Sequence, residues 1–132
     1  MAGEPILVVD DHPDNLKLAR VLLQSEGYSV ITARDAEEAL DALKTARPRL
    51  ILMDLQLPGM DGFQLTARIK ADPTTRDILI LALTAYAMKG DEDKALRAGC
   101  DGYLTKPVDT LALPGIIAQY LAKSPVRPGG AA

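Results

Sequence analysis

Leu50-Ile51-Leu52-Met53-Asp54-Leu55-Gln56-Leu57-Pro58-Gly59-Met60-Asp61-Gly62 decides the reading of this chain. An unbroken apolar run stops on Asp54, and a loop punctuated by Pro-Gly and Asp-Gly follows. A short apolar run between turn signals is a strand buried on both faces, as in a parallel sheet covered by helices. Ligands of such sheets bind beyond the carboxyl ends of the strands, where Asp54 stands. A lone aspartate there is ordinarily a turn or cap residue, so the rest of the chain must decide its role.

Working outward, Ile6-Leu7-Val8-Val9 is a second apolar run and it also ends on acid, Asp10-Asp11. Pro13 and Asp14 open a helix with Leu16, Ala19, Leu22 and Leu23 at helical spacing, and Gly27 stops it. Tyr28 to Ala33 reads as a less buried strand. Asp35 caps the next helix, with Glu38 as its capping-box partner; that helix buries Ala39, Leu40 and Leu43. Beyond the central strand, Phe63 to Ala71 is predicted helical around Leu65 and Ile69. Ile78 to Leu83 is a fourth strand ending on Thr84. Lys89 to Ala98 is a largely charged helix with a thin apolar stripe, Ala95 and Leu96, ended by Gly99. Gly102 to Thr105 is a short fifth strand followed by Lys106-Pro107. A last helix starts near Leu113, because Pro114 suits only a first turn.

Five alternations of strand and helix with short connections predict a single doubly wound α/β domain with a parallel sheet. Its expected extent is residues 1–123, and the Pro- and Gly-rich residues 124–132 read as a disordered tail. A chain of 132 residues holds one core. Apolar content of 48% and charged content of 25% suit a soluble globular domain. A net charge of -3 without a basic run argues against nucleic acid. No apolar stretch nears membrane-spanning length, so the default expectation is a cytoplasmic protein. The single cysteine, Cys100, excludes a disulfide framework and reads as a small buried hydrophobe. His12 reads as a loop residue facing the acidic edge.

The polar residues that close the strands belong together. Asp10, Asp11, Asp54, Thr84 and Lys106 all follow carboxyl ends, which share one edge of a parallel sheet. A carboxylate pair at 4 Å costs about 4 kcal/mol at an effective dielectric near 20, so a cation is expected among them. Oxygen donors favour magnesium, manganese or calcium over zinc, and so few carboxylates leave water in the shell, which suits magnesium. A carboxylate nucleophile beside a metal, an amine and a hydroxyl is the equipment for phosphoryl transfer to aspartate.

In these residues the chain resembles the receiver domains of two-component response regulators. The resemblance spans roughly Pro5 to Ala122 and is carried by Asp10-Asp11, the Met53 to Gly62 segment, Thr84-Ala85 and Lys106-Pro107. It implies a flavodoxin-like fold: five parallel strands in the order 2-1-3-4-5 with five helices. It further implies that Asp54 is the phosphoacceptor. Mg2+, replaceable by Mn2+, would be held by Asp11, Asp54 and the Gln56 backbone carbonyl, with Asp10 acting through water. Lys106 would contact the phosphate, and Thr84 and Tyr103 would form the switch. Gln56 and Tyr86 would tune phosphate lifetime, and the Lys106-Pro107 peptide would be cis. The Thr84 to Asp91 stretch is similar to single-domain cell-fate regulators and to hybrid-kinase receivers.

The implied partners are a histidine kinase or histidine phosphotransfer protein and a downstream protein, with neither nucleic acid nor membrane. Output would run through the fourth helix, fifth strand and last helix. The domain would not be an enzyme beyond supporting its own phosphorylation and dephosphorylation. An aspartyl-phosphate metal-dependent phosphatase is the alternative. It needs an acid two residues after the nucleophile, where Gln56 stands. A flavin-binding domain needs a phosphate loop after the first strand, where Asp10-Asp11 repel phosphate.

Overall fold

The computed structural model describes residues 5–55, 59–60, 62–84, 90–105 and 111–123. The predicted tail, 124–132, lies outside them. Five strands and five helices alternate: β1 (Pro5–Val9), α1 (Pro13–Ser25), β2 (Ser29–Ala33), α2 (Ala36–Thr45), β3 (Leu50–Asp54), α3 (Gly62–Ala71), β4 (Leu79–Thr84), α4 (Asp91–Ala98), β5 (Gly102–Thr105) and α5 (Leu113–Lys123). All strand pairs are parallel, in the order β2-β1-β3-β4-β5.

Strand alternation divides the core in two. On one face Leu7, Val9, Ile51, Met53, Ile80 and Ala82 pack with Ala36, Ala39 and Leu43 of α2, Leu65 and Ile69 of α3, and Ala95 of α4. On the other, Ile6, Val8, Leu50, Leu52 and Leu81 pack with Leu16 and Leu23 of α1 and with Leu113, Ile117 and Leu121 of α5. β3 is buried along its whole length, as its uninterrupted apolar run requires. The edge strand β2, broken by Ser29 and Thr32, is only partly covered.

Helix ends follow local chemistry. α1 closes with Gly27 at φ 94°, where the Tyr28 N–H donates to Leu23 O at 3.1 Å and the Gly27 N–H to Gln24 O at 3.0 Å. These bonds satisfy end carbonyls that would otherwise lack partners. At α2, Asp35 Oδ1 accepts the Glu38 N–H at 2.9 Å, the forward half of the expected capping box. The return half differs: Glu38 accepts the Arg34 N–H at 2.8 Å, and its other oxygen accepts from the Arg34 guanidinium at 2.9 Å. A cationic neighbour draws the carboxylate one residue further back, and this pairing holds Glu38 below the usual glutamate range.

The stripe expected on α4 is half correct. Ala95 is fully buried, whereas Leu96 is 47% exposed. Adjacent helical positions lie about 100° apart, so a narrow seam cannot bury both. Cys100 is buried as expected, and burial pushes its thiol pKa up.

Candidate functional site

Register sets the site. Val9 pairs with Met53, Asp54 with Leu83, and Thr84 with Thr105, so β1, β3, β4 and β5 end at one level. Asp10 continues β1 by donating its N–H to Ala33 O at 3.0 Å. Asp10, Asp54 and Thr84 are buried polar residues at this edge, and Asp54 is only 1% exposed. The Asp11 side chain is 34% exposed.

Ligand atoms of Asp10, Asp11, His12 and Asp54 all lie within 4.8 Å of one another. At that separation each pair of ionised carboxylates repels by about 3 kcal/mol at an effective dielectric of 20. Asp10 is oriented from two directions. Its Oδ1 accepts the His12 N–H at 2.9 Å, and its Oδ2 accepts from Asn15 Nδ2 at 3.3 Å. Asp11 Oδ1 is a buried atom without a hydrogen bond among the described residues, although His12 Nδ1 lies 3.0 Å from it. An acceptor-only oxygen left in that condition beside two other acids is a natural cation ligand.

Leu55, the residue after β3, is pressed against the start of α3. The Leu55 N–H donates to Leu83 O at 2.9 Å, and the Gly62 N–H to Leu55 O at 3.1 Å. A Cβ on Gly62 would stand 2.6 Å from Leu55 Cα and 2.7 Å from Asp54 O, so only glycine allows this approach. Nearby, Lys94 Nζ lies 4.5 Å above the Phe63 ring, joining α4 to α3.

Tyr103 pairs with Ala82. Alternation therefore puts Tyr103 and Thr84 on the same face, the one α4 covers. Gln56, Tyr86, Lys106 and the Lys106-Pro107 peptide lie outside the described residues. The structure thus brings together Asp10, Asp11 and Asp54, with Thr84 on the neighbouring strand end. It adds two residues that sequence reasoning left out of the cluster. His12 was legible as an imidazole next to two acids; Asn15 carried only the weak signal of a position five residues after Asp10, in the first turn of a helix.

Residues 6–118 match the family described as the response regulator receiver domain. The chain belongs to that family. It is 41% identical over 116 residues to the polar-differentiation response regulator DivK of Brucella anthropi, covering 88% of this chain and 94% of that one. Among solved structures, a CheY-like response regulator receiver domain protein from Methanospirillum hungatei superposes with a TM-score of 0.86 at 30% identity, covering 93% of this chain and 97% of its own. The receiver domain of a sensor histidine kinase from Pseudomonas aeruginosa has a TM-score of 0.83 at 37% identity, covering 92% of this chain and all of that one. That crystal structure has a magnesium ion coordinated in its active-site cleft. Receiver domains are signalling modules of two-component systems. Among the described residues no helix of this receiver is long and apolar enough to cross a membrane.

Proposed function

We propose that this receiver takes a phosphoryl group onto Asp54 from a histidine kinase or histidine phosphotransfer protein in the cytoplasm, and signals through protein contacts of its α4–β5–α5 face. The observation that carries this reading is Asp54 itself, a 1% exposed carboxylate closing β3 within 4.8 Å of two further acids. Without a function, such a cluster is a standing electrostatic cost.

In the transfer, a carboxylate oxygen of Asp54 attacks phosphorus in line with the donor's phosphorus–nitrogen bond. The oxygen–phosphorus bond forms as that bond breaks, and the departing imidazole keeps the electron pair and takes a proton from water. Burial of Asp54 restricts the attacking oxygen to few orientations, which lowers the entropic barrier.

The donor set fits magnesium: carboxylate oxygens with one buried and short of a hydrogen bond. Asp11, Asp54 and the Gln56 carbonyl are the proposed ligands, with Asp10 acting through water. Mg2+, or Mn2+ in its place, held by these residues would supply charge neutralisation for the carboxylates and the phosphoryl oxygens. Lys106 is assigned to the phosphate from the far strand end, with the Lys106-Pro107 peptide cis. Thr84 donates its hydroxyl to a phosphoryl oxygen, and Tyr103, on the same sheet face, responds to its shift. This biases α4, β5 and α5 toward a second arrangement. Gln56 and Tyr86 control water's approach to the acyl phosphate and so its lifetime.

The test is intact-mass analysis after incubation with acetyl phosphate and magnesium. One added phosphoryl group is expected in the native protein and none in Asp54→Asn. An adduct of equal yield in Asp54→Asn, or one formed equally with chelator present, overturns the assignment.

A further inference from the structure

The opposite end of the sheet carries a feature that phosphoryl chemistry does not use. α3 lies closely along α4 and not along α2. A cleft of about 390 Å3 opens between the C-terminal ends of α2 and α3, within the size range of sites that seat a ligand. On the α2 side Leu40, Leu43, Lys44 and Arg47 line it, at positions i, i+3, i+4 and i+7 of one helical stripe. Arg68 and Ile69 line the α3 side. These segments lead into the starts of β3 and β4, so the cleft and Asp54 lie at opposite edges of the sheet. The five residues of β3, about 16 Å of strand, separate them.

Three cations line the cleft with one acid, Asp72, among the described residues, in a chain whose net charge is -3. Asp72 Oδ1 already accepts the Thr74 N–H at 2.9 Å and the Thr74 hydroxyl at 2.8 Å. Lys44 pairs with Asp41 at 3.1 Å, but both side chains are more than two-thirds exposed and such a pair is weak. Arg47 donates to Leu43 O and Ala46 O, which fixes its guanidinium at the end of α2. Arg68 is exposed and makes no hydrogen bond or ion pair among the described residues. Helix-end chemistry explains Arg47. It explains neither Arg68 nor two cation-bearing helix ends standing apart around an open cleft.

We propose that this cleft is a docking groove for an acidic amphipathic helix of a partner protein, held whether or not Asp54 is phosphorylated. Such a helix presents apolar side chains at the spacing of the α2 stripe. They would rest on half-buried Leu40 above buried Leu43 and Ile69. Flanking glutamates or aspartates would meet Lys44, Arg47 and Arg68, a complementarity that speeds association and weakens with salt. No aromatic ring lines the cleft, so a nucleobase has none to stack on. The groove uses no residue of the acidic edge or of α4, β5 and α5. A partner held there leaves both free, so the receiver can be tethered to one protein while it signals to another.

The probe is a fluorescent peptide of about 14 residues, with leucine at every third or fourth position and glutamate between. Its control has lysine for glutamate. Anisotropy titrations compare the native chain with Lys44→Glu/Arg68→Glu and with Lys17→Glu/Arg20→Glu. The second pair makes the same charge change on exposed positions of α1, outside the cleft. Saturable binding below about 1 mM is expected for the acidic peptide alone. Affinity is expected to fall about tenfold or more in the first double variant and less than about threefold in the second. Acetyl phosphate with magnesium should leave the native affinity unchanged. On 15N-labelled native protein, which needs no variant to fold, the peptide should move amide signals of residues 40–47 and 68–72. Absence of saturable binding, equal losses in the two double variants, or amide changes centred elsewhere overturn the proposal. So does tripolyphosphate moving those amides where the peptide does not, which would make the cleft a small-anion site.

Discussion

Replacing Gly62 by alanine tests how the end of β3 is held. The added Cβ would meet Leu55 Cα at 2.6 Å, Asp54 O at 2.7 Å and Leu55 Cδ2 at 2.9 Å, where ordinary contacts begin near 3.4 Å. Two of these three atoms are main chain, so no rotamer change relieves the clash. The first turn of α3 must retreat by about 0.8 Å, stretching the 3.1 Å bond from the Gly62 N–H to Leu55 O. Overpacking of this kind costs roughly 1–3 kcal/mol, and a weakened hydrogen bond about 1 kcal/mol more. Alanine's better helix propensity returns at most about 1 kcal/mol. A net loss of about 2 kcal/mol follows, lowering Tm by roughly 6–10 °C. Urea melts of Gly62→Ala against native protein measure it. Gly115→Ala is the control: Gly115 lies in α5 with nothing within 4 Å of an added Cβ, and the change should be neutral or stabilising by up to about 1 kcal/mol. If Gly62→Ala falls within about 0.5 kcal/mol of native protein, the packing argument is wrong.

Asp11→Ala should weaken magnesium binding yet raise apo stability by about 1–2 kcal/mol, the pairwise repulsion at 4.8 Å discounted for Asp11's partial exposure. Melting in chelator measures it, and a lower Tm than native protein contradicts a repulsive cluster. Thr84→Ala should still be phosphorylated, but its amide shift changes across Asp91–Ala98 should fall below about half of native; changes as large as native would remove Thr84 from the output path. Tyr86→Ala should lose its phosphoryl group about tenfold faster after donor removal, equivalent to about 1.4 kcal/mol of barrier. Decay at the native rate would show that the ring does not shield the phosphate.

Much of the fold was legible because parallel strands and amphipathic helices write different patterns. The runs ending at Val9, Asp54 and Thr84 are strands buried on both faces, and Gly27 and Gly99 stand at helix ends with positive φ. The cluster was legible for a related reason: apolar runs that end on acid reveal which edge the acids share. Side-chain direction and contacts between neighbours were less accessible. Leu96 looked apolar and faces water, because identity does not say where a narrow seam ends. Glu38 turned to Arg34, since competition between two local donors is settled by geometry. Lys70 reaches Asp101 at 3.0 Å and Ile78 O at 2.7 Å, a tie between α3 and the opposite edge of the sheet. It joins residues 31 apart in sequence, and no local pattern announces it.

Chemical trapping at position 54 tests the central claim most directly. Protein treated with acetyl phosphate and magnesium is reduced with borohydride, which converts an acyl phosphate to the corresponding alcohol, and its peptides are sequenced by mass spectrometry. The expected result is homoserine in place of Asp54, dependent on magnesium, with Asp10, Asp11 and Asp61 unaltered. Homoserine at another aspartate, or none in protein that carries the phosphoryl mass, would contradict the assignment of Asp54 as the phosphoacceptor.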